Sequence, residues 1–247
     1  MIIGAFFFAM RSCEYCIPTT PGRTKTLCLR HLVFRDKRMQ VIPHTHPRLE
    51  RVAEYVTVTF EDQKNGIKMD SRSQRRTGDP KLCPTTCLGR AVRRIVSTVP
   101  GWTKDTLLCT IRLGNKNQQI TNTFTKRILR HTCQLYGGHK TFGFHPREIG
   151  NRSIRSGAAM ALFMKDHSTA KIMILGRWSS DAFLVYIRPQ VLEWANNMSR
   201  DMVSFDSFLD VGLFDRAAPA DPRTRKRVHQ LNGHGAVVPM EAFNMHH

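Results

Sequence analysis

With 247 residues and 41% hydrophobic content, the chain has enough apolar side chain for one sizeable core or two small ones, which excludes both a disordered polypeptide and a stapled miniature scaffold. Its 38 lysines and arginines against 19 aspartates and glutamates leave a formal charge of +19, so a polyanion is the natural partner for its surface. No stretch approaches the roughly 18 apolar residues needed to span a bilayer, and an odd set of seven cysteines without a secretory signal predicts a reduced, intracellular protein.

Residues 2–15 read as an apolar helix whose main exceptions are Arg11 and Glu14. Their spacing of three puts them on one face, where opposite charges compensate each other. Residues 18–24, PTTPGRT, are loop material, and 27–34 read as a strand. A second strand follows in VAEYVTVTF at 52–60, which alternates and is rich in β-branched and aromatic residues. The segment EDQKNG then supplies a hairpin-type turn, with Asn65 and Gly66 suited to positive φ. Lys64 sits at the tip or flank of that turn, and Lys68 is its nearest competitor for any role there.

Between Arg72 and Arg94 seven basic residues accompany one acidic residue, Asp79. Arg75, Arg76, Arg93 and Arg94 are the candidate phosphate contacts of this stretch, and a solvated basic face is the alternative. A helix is predicted over 86–99, ended by Pro100-Gly101, and a short strand over 107–112. Residues 123–136 form a basic amphipathic helix closed by Gly137-Gly138, and Lys126 and Arg127 on it are further candidate phosphate contacts. Helices follow at 153–164, at 168–175 and at 183–202, the last broken near Pro189.

From 213 to 247 the chain is polar and rich in Pro and Gly, with a basic run at 223–227, and reads as a flexible tail after a domain spanning 1–212. Cys13, Cys16, Cys83 and Cys87 have thiolate-ligand spacing within each pair. The interval between the pairs is long and no glycine-rich knuckle accompanies them, so buried or incidental thiols are expected, with no metal. The HTH at 44–46 reads as surface. The pattern as a whole predicts an α+β fold, mainly helical, with a small antiparallel sheet.

Residues 150–188, GNRSIRSGAAMALFMKDHSTAKIMILGRWSSDAFLVYIR, are the most informative stretch. Arg155 opens a small-residue helix, Gly-Arg-Trp-Ser-Ser occupies 176–180, and Tyr186 follows Gly176 by ten residues. This stretch resembles the second catalytic box of the tyrosine recombinases, or phage-integrase family, and looks most like the eukaryotic branch found in Crypton-type mobile elements. The resemblance implies a helical catalytic domain with a small sheet that cleaves double-stranded DNA through a 3′-phosphotyrosine and rejoins it without metal or cofactor. It also implies a nuclear location if the source is eukaryotic.

Residue by residue, FFFAMRSCEY is similar to the family's first box, with Arg11 as the arginine and Glu14 as its supporting acid. The hairpin lysine carries over to Lys64, the second arginine to Arg155 and the nucleophile to Tyr186. Two rigid guanidinium forks suit the charge that builds on the nonbridging oxygens of an attacked phosphodiester. Lys64 is placed to protonate the leaving 5′ oxygen. The Tyr186 phenol, with a reference pKa near 10, needs nearby positive charge or a proton acceptor.

The sequence departs from the family pattern at two positions. Arg152 stands where the family has His, three residues before the second arginine, and a guanidinium cannot accept a proton near neutrality, so activation of Tyr186 is expected to be impaired. After Gly176, where the family has His or Trp, Arg177 comes first and Trp178 next. Trp178 is favoured, with Arg177 in support, because an indole both packs and donates.

Family members carry an N-terminal helical clamp. Here Arg11 comes almost at once, so that clamp is expected to be absent. Residues 191–208 are amphipathic and suit packing either in cis or on a second protomer. The other functional classes are an inactive DNA-binding relic of a mobile-element recombinase and a basic, RNA-associated structural protein.

Overall fold

The computed structural model describes residues 1–20, 22–63, 66–79 and 81–179, all within the unit Met1–Leu192. The predicted helix at 183–202, the domain boundary at 212 and the basic tail lie outside the described residues.

The first helix differs from expectation. Instead of one helix over 2–15 there are two, α1 (Ile2–Phe7) and α2 (Ser12–Tyr15), separated by a turn in which Ala9 has φ 43°. The Ala9 N–H donates to Phe6 O and the Met10 N–H to Ala5 O, the paired bonds of a helix-ending Schellman turn, whose left-handed position glycine usually fills. Arg11 is the N-cap of α2, and the Glu14 carboxylate reaches back to accept its backbone N–H at 2.8 Å, as the acid of a capping box does. The pair is therefore a helix-start device and not two neighbours on one helical face.

Four strands make an antiparallel sheet in the order β2-β1-β3-β4: β1 (Leu32–Arg35), β2 (Val41–Ile42), β3 (Tyr55–Asp62) and β4 (Lys68–Arg75). The alternation read in 52–60 is realised in β3, where Val56, Val58 and Phe60 are buried. Thr57 and Thr59 pair on the other face with Ser73 and Ser71, each hydroxyl pair at 2.8 Å. β4 is the partner strand of the predicted hairpin, but its inward positions are Asp70, Arg72 and Gln74, opposite Phe60, Val58 and Val56. A strand with no apolar face gives no period-two signal. Lys64 and Asn65, between β3 and β4 in sequence, lie outside the described residues.

The short helix α3 (Leu49–Val52) and the longer α4 (Pro84–Thr98) follow. α4 is opened by a proline in its first turn and buries Leu88, Val92 and Ile95 into the sheet. A hairpin of β5 (Thr110–Leu113) and β6 (Lys116–Gln119) leads to α5 (Asn122–Leu135), capped by the Thr121 hydroxyl. α6 (Gly138–Phe142), α7 (Arg152–Phe163) and α8 (Thr169–Gly176) complete the described chain.

The main core lies between the sheet, α1 and α4, with Phe8, Met10, Phe34 and Leu88 inside it. α7 packs on α1 through small residues: a Cβ on Gly157 would stand 3.8 Å from the Phe6 ring. The architecture is α+β with a small antiparallel sheet. Among the described residues no helix is long and apolar enough to cross a membrane.

Candidate active site

The site is built where two helix ends face each other. α8 closes as α1 does: the Arg177 N–H donates to Ile174 O and the Trp178 N–H to Met173 O, with Arg177 itself left-handed at φ 57°. Non-glycine residues at such positions cost about 1–2 kcal/mol each. They are held here by bonds that run between the two turns. Arg155, on the first turns of α7, donates to Ala9 O at 2.9 Å and to Gly176 O at 2.5 Å. Arg177 donates to Phe8 O at 3.3 Å.

Glu14 joins the rest. One carboxylate oxygen accepts from Arg177 Nη2 at 2.7 Å and the other from Arg11 Nη1 at 3.0 Å. Arg11 Nη1 also donates to Gln63 Oε1 at 3.2 Å, and Gln63 Nε2 donates to Asp70 at 3.2 Å. Asp70 is paired in turn with Arg72, whose Nε donates to Ile174 O at 2.9 Å and ties α8 to β4. The polar inward face of β4 thus supports the site.

Three of these groups are essentially dry: Glu14 and Arg177 expose 1% and 0% of their side chains, and Arg155 is buried. Arg11, with 21% of its side chain exposed, gives the cluster a charged outlet to solvent. Three guanidinium charges (Arg11, Arg155, Arg177) against one carboxylate (Glu14) leave two positive charges. Burial pushes the Arg177 pKa down to about 10, against the opposing pull of Glu14. The Arg177 guanidinium lies 3.4 Å from the centroid of the Phe60 ring, and its Nε has no acceptor.

Trp178 lies over Arg155, with the guanidinium carbon 4.3 Å from its ring centroid. This contact requires Gly176, because a Cβ there would stand 1.6 Å from the indole ring. The two residues after Gly176 therefore divide the work. Arg177 turns inward to Glu14, and Trp178 covers the second arginine.

Of the residues singled out in the sequence, Arg11, Glu14, Arg155, Arg177 and Trp178 come together. Arg152 opens α7 with its side chain exposed, one turn before Arg155. Lys64 and Tyr186 lie outside the described residues. Gln63 and Arg72 belong to the cluster's support and were not anticipated. Gln63 adjoins the turn lysine in EDQKNG, but nothing in its type marks it.

The basic residues picked as phosphate contacts separate into different environments. Arg75 is exposed, 2.8 Å from Glu54 and over the Tyr55 ring. Arg76 binds the carbonyls of Glu50 and Ala53. Arg93 pairs with Glu50 at 2.5 Å, and Arg94 donates to Thr110 O at 3.1 Å. Lys126 is half-buried, while Arg127 is exposed over the Phe124 ring at 5.4 Å. All seven cysteines are unpaired, and no group of three metal-ligating side chains gathers among the described residues.

No known family model matches the chain, and no curated protein matches it.

Proposed function

We propose that the chain is the catalytic domain of a DNA strand-exchange enzyme of the tyrosine-recombinase kind. The observation that carries this reading is the assembly of the two arginine-bearing segments: Arg155 is bonded to Ala9, 146 positions away, beside Arg11 and its acid Glu14. The resemblance in the sequence requires these segments to meet, and local sequence does not bring them together.

In this reading Arg11 and Arg155 stabilise the nonbridging oxygens of the scissile phosphate. Arg155 exchanges its bonds to Ala9 O and Gly176 O for phosphate oxygens, and Trp178 keeps the guanidinium plane oriented. The Tyr186 phenol gives its proton to solvent water as its oxygen bonds to phosphorus, the bond to the 5′ oxygen breaks, and that oxygen takes its proton from Lys64. Attack by a 5′ hydroxyl on the phosphotyrosine reverses these steps on a new strand. Glu14 and Arg177 are positioning residues, since they are buried against each other.

Trapping on a nicked suicide DNA substrate tests the proposal. A covalent protein–DNA adduct is expected from the native chain and from Tyr136→Phe, and none from Tyr186→Phe. An adduct that survives Tyr186→Phe overturns it.

The exposed arginine at 152 favours a second reading, a DNA-binding relic whose cleavage is slow for want of a proton acceptor. That reading predicts that Arg152→His raises adduct yield with DNA affinity unchanged. If the variant binds DNA and forms no more adduct, position 152 is not the bottleneck.

A further inference from the structure

A second group of cations is built by different elements, between α3 and α4. They line a cleft of about 690 Å³, within the range of roughly 300–1,000 Å³ typical of small-ligand sites and more than one phosphate fills. The two helices approach closely because α4 has Gly89 at the contact: a Cβ there would stand 2.8 Å from the Glu50 Cα. Arg51 comes from α3, Arg90, Arg93 and Arg94 from α4, and Arg76 from just beyond β4.

These five arginines are not equivalent. Arg76 is a fixed charge, its guanidinium bonded to Glu50 O, Ala53 O and the Thr86 hydroxyl. Arg93 is held by Pro47 O and the Glu50 carboxylate. Arg94 binds Thr110 O through Nη2, but its Nε is buried without an acceptor, and burial lowers its pKa. Arg51 and Arg90, on opposite walls, are exposed, and their side chains form no hydrogen bond or ion pair within the described residues. Glu50 is the one acid in the lining, so five positive charges less one negative leave four positive charges.

Like charges at this density repel unless an anion joins them, and planar forks on facing walls match the bidentate geometry of phosphate oxygens. Glu50 limits where the anion sits: one of its oxygens neutralises Arg93, so the anion belongs on the Arg51–Arg90–Arg94 side.

We infer that the α3–α4 cleft is a binding site for closely spaced phosphate groups, gripped by Arg51 and Arg90 and attracted by the fixed charge of Arg76 and Arg94. The ligand is either a small soluble polyphosphate compound or consecutive phosphates of a nucleic-acid strand. The inference stands apart from strand cleavage, because none of these residues belongs to the Arg155 cluster.

The test uses the full chain with sodium tripolyphosphate, measured by calorimetry at about 0.15 M ionic strength. The variant Arg51→Gln/Arg90→Gln removes two side chains that hold nothing in the fold, and Lys116→Gln/Lys140→Gln removes the same charge elsewhere. Tripolyphosphate is expected to bind and to raise the melting temperature, with affinity falling about tenfold or more in the arginine variant and little in the lysine control. A short DNA duplex that displaces tripolyphosphate, and is itself weakened by the arginine variant, identifies a strand as the source. DNA that binds without displacing it identifies a small polyphosphate.

No binding, or equal loss in both variants, overturns the site. Displacement by polyglutamate as readily as by tripolyphosphate overturns the phosphate assignment. Adduct formation through Tyr186 at saturating DNA does not require this cleft, so failure here and failure of the recombinase reading are told apart.

Discussion

Arg177 and Glu14 lie 163 positions apart in the chain, yet their side chains meet at 2.7 Å with 0% and 1% of their surface exposed. A buried pair of this kind is poor evidence of net stabilisation, because desolvation offsets the attraction. Removing one partner is costly, since the other charge is left stranded. Glu14→Gln is therefore expected to destabilise the fold by about 3–5 kcal/mol in urea denaturation. Glu14→Gln with Arg177→Met is expected to recover much of that. A single variant as stable as the native chain would mean that Glu14 is not what holds Arg177.

Gly176→Ala puts a Cβ into the space of the Trp178 ring. The indole must leave the face of Arg155, with overpacking and the lost stack together costing about 1–3 kcal/mol. Tryptophan emission is expected to shift to the red as the ring gains water. If the proposed function holds, adduct formation drops with it. Unchanged emission and stability in this variant would contradict the described packing.

Arg75 and Arg76 are adjacent in sequence and differ in what they hold. Arg76→Lys replaces a fork that binds two carbonyls and a hydroxyl, and is expected to cost about 1–3 kcal/mol by leaving those acceptors short of donors. Arg75→Gln removes a largely exposed guanidinium from a buried Glu54 partner and is expected to cost less, while weakening any electrostatic attraction for DNA. Equal effects on stability from the two substitutions would contradict this division.

His31 links the sheet to the segment before it. Its Nδ1 accepts the Cys28 N–H at 2.9 Å, so Nε2 carries the proton and faces Glu61 at 3.0 Å. Burial lowers the His31 pKa despite the pull of Glu61, and burial lowers that of His44 as well. A histidine whose folded pKa lies below the unfolded value of about 6.5 adds stability above that pH and loses it on acidification. The Glu61 carboxyl is itself held below its usual range by Arg30 and His31, so it stays ionised in this window. Denaturation midpoints are expected to fall from pH 7.5 to pH 5.5, and His31→Gln is expected to shrink that difference. A midpoint independent of pH across this range would refute the assignment.

Much of the fold is legible in the sequence where one physical signal dominates. β3 alternates because one of its faces is core, and α4 and α5 are bounded by a proline, a threonine cap and glycines. The break in the first helix is not legible, because the left-handed residue is Ala9, where glycine would have announced a stop. β4 is silent for a different reason: its inward side chains serve the site instead of the core. At the site, Arg11, Glu14 and Arg155 stand out by type and spacing. That Arg177 turns inward while Trp178 covers Arg155 depends on the φ of a single residue. The fates of Arg75 and Arg76 depend on which carbonyls lie within reach, and a run of basic letters carries no such information.

The turn at Ala9 has a consequence for the order of folding. It is the first bend of the chain, and beside its own paired backbone bonds it is held by Arg155 and Arg177. Contacts of such long sequence separation form late, after the intervening loop has been closed. The amino-terminal helix has α4 and the sheet to pack on before that, but the cluster becomes complete only when α7 and α8 dock. Partly folded molecules in which α7 and α8 have not docked, including those still being synthesised, carry no assembled charge cluster.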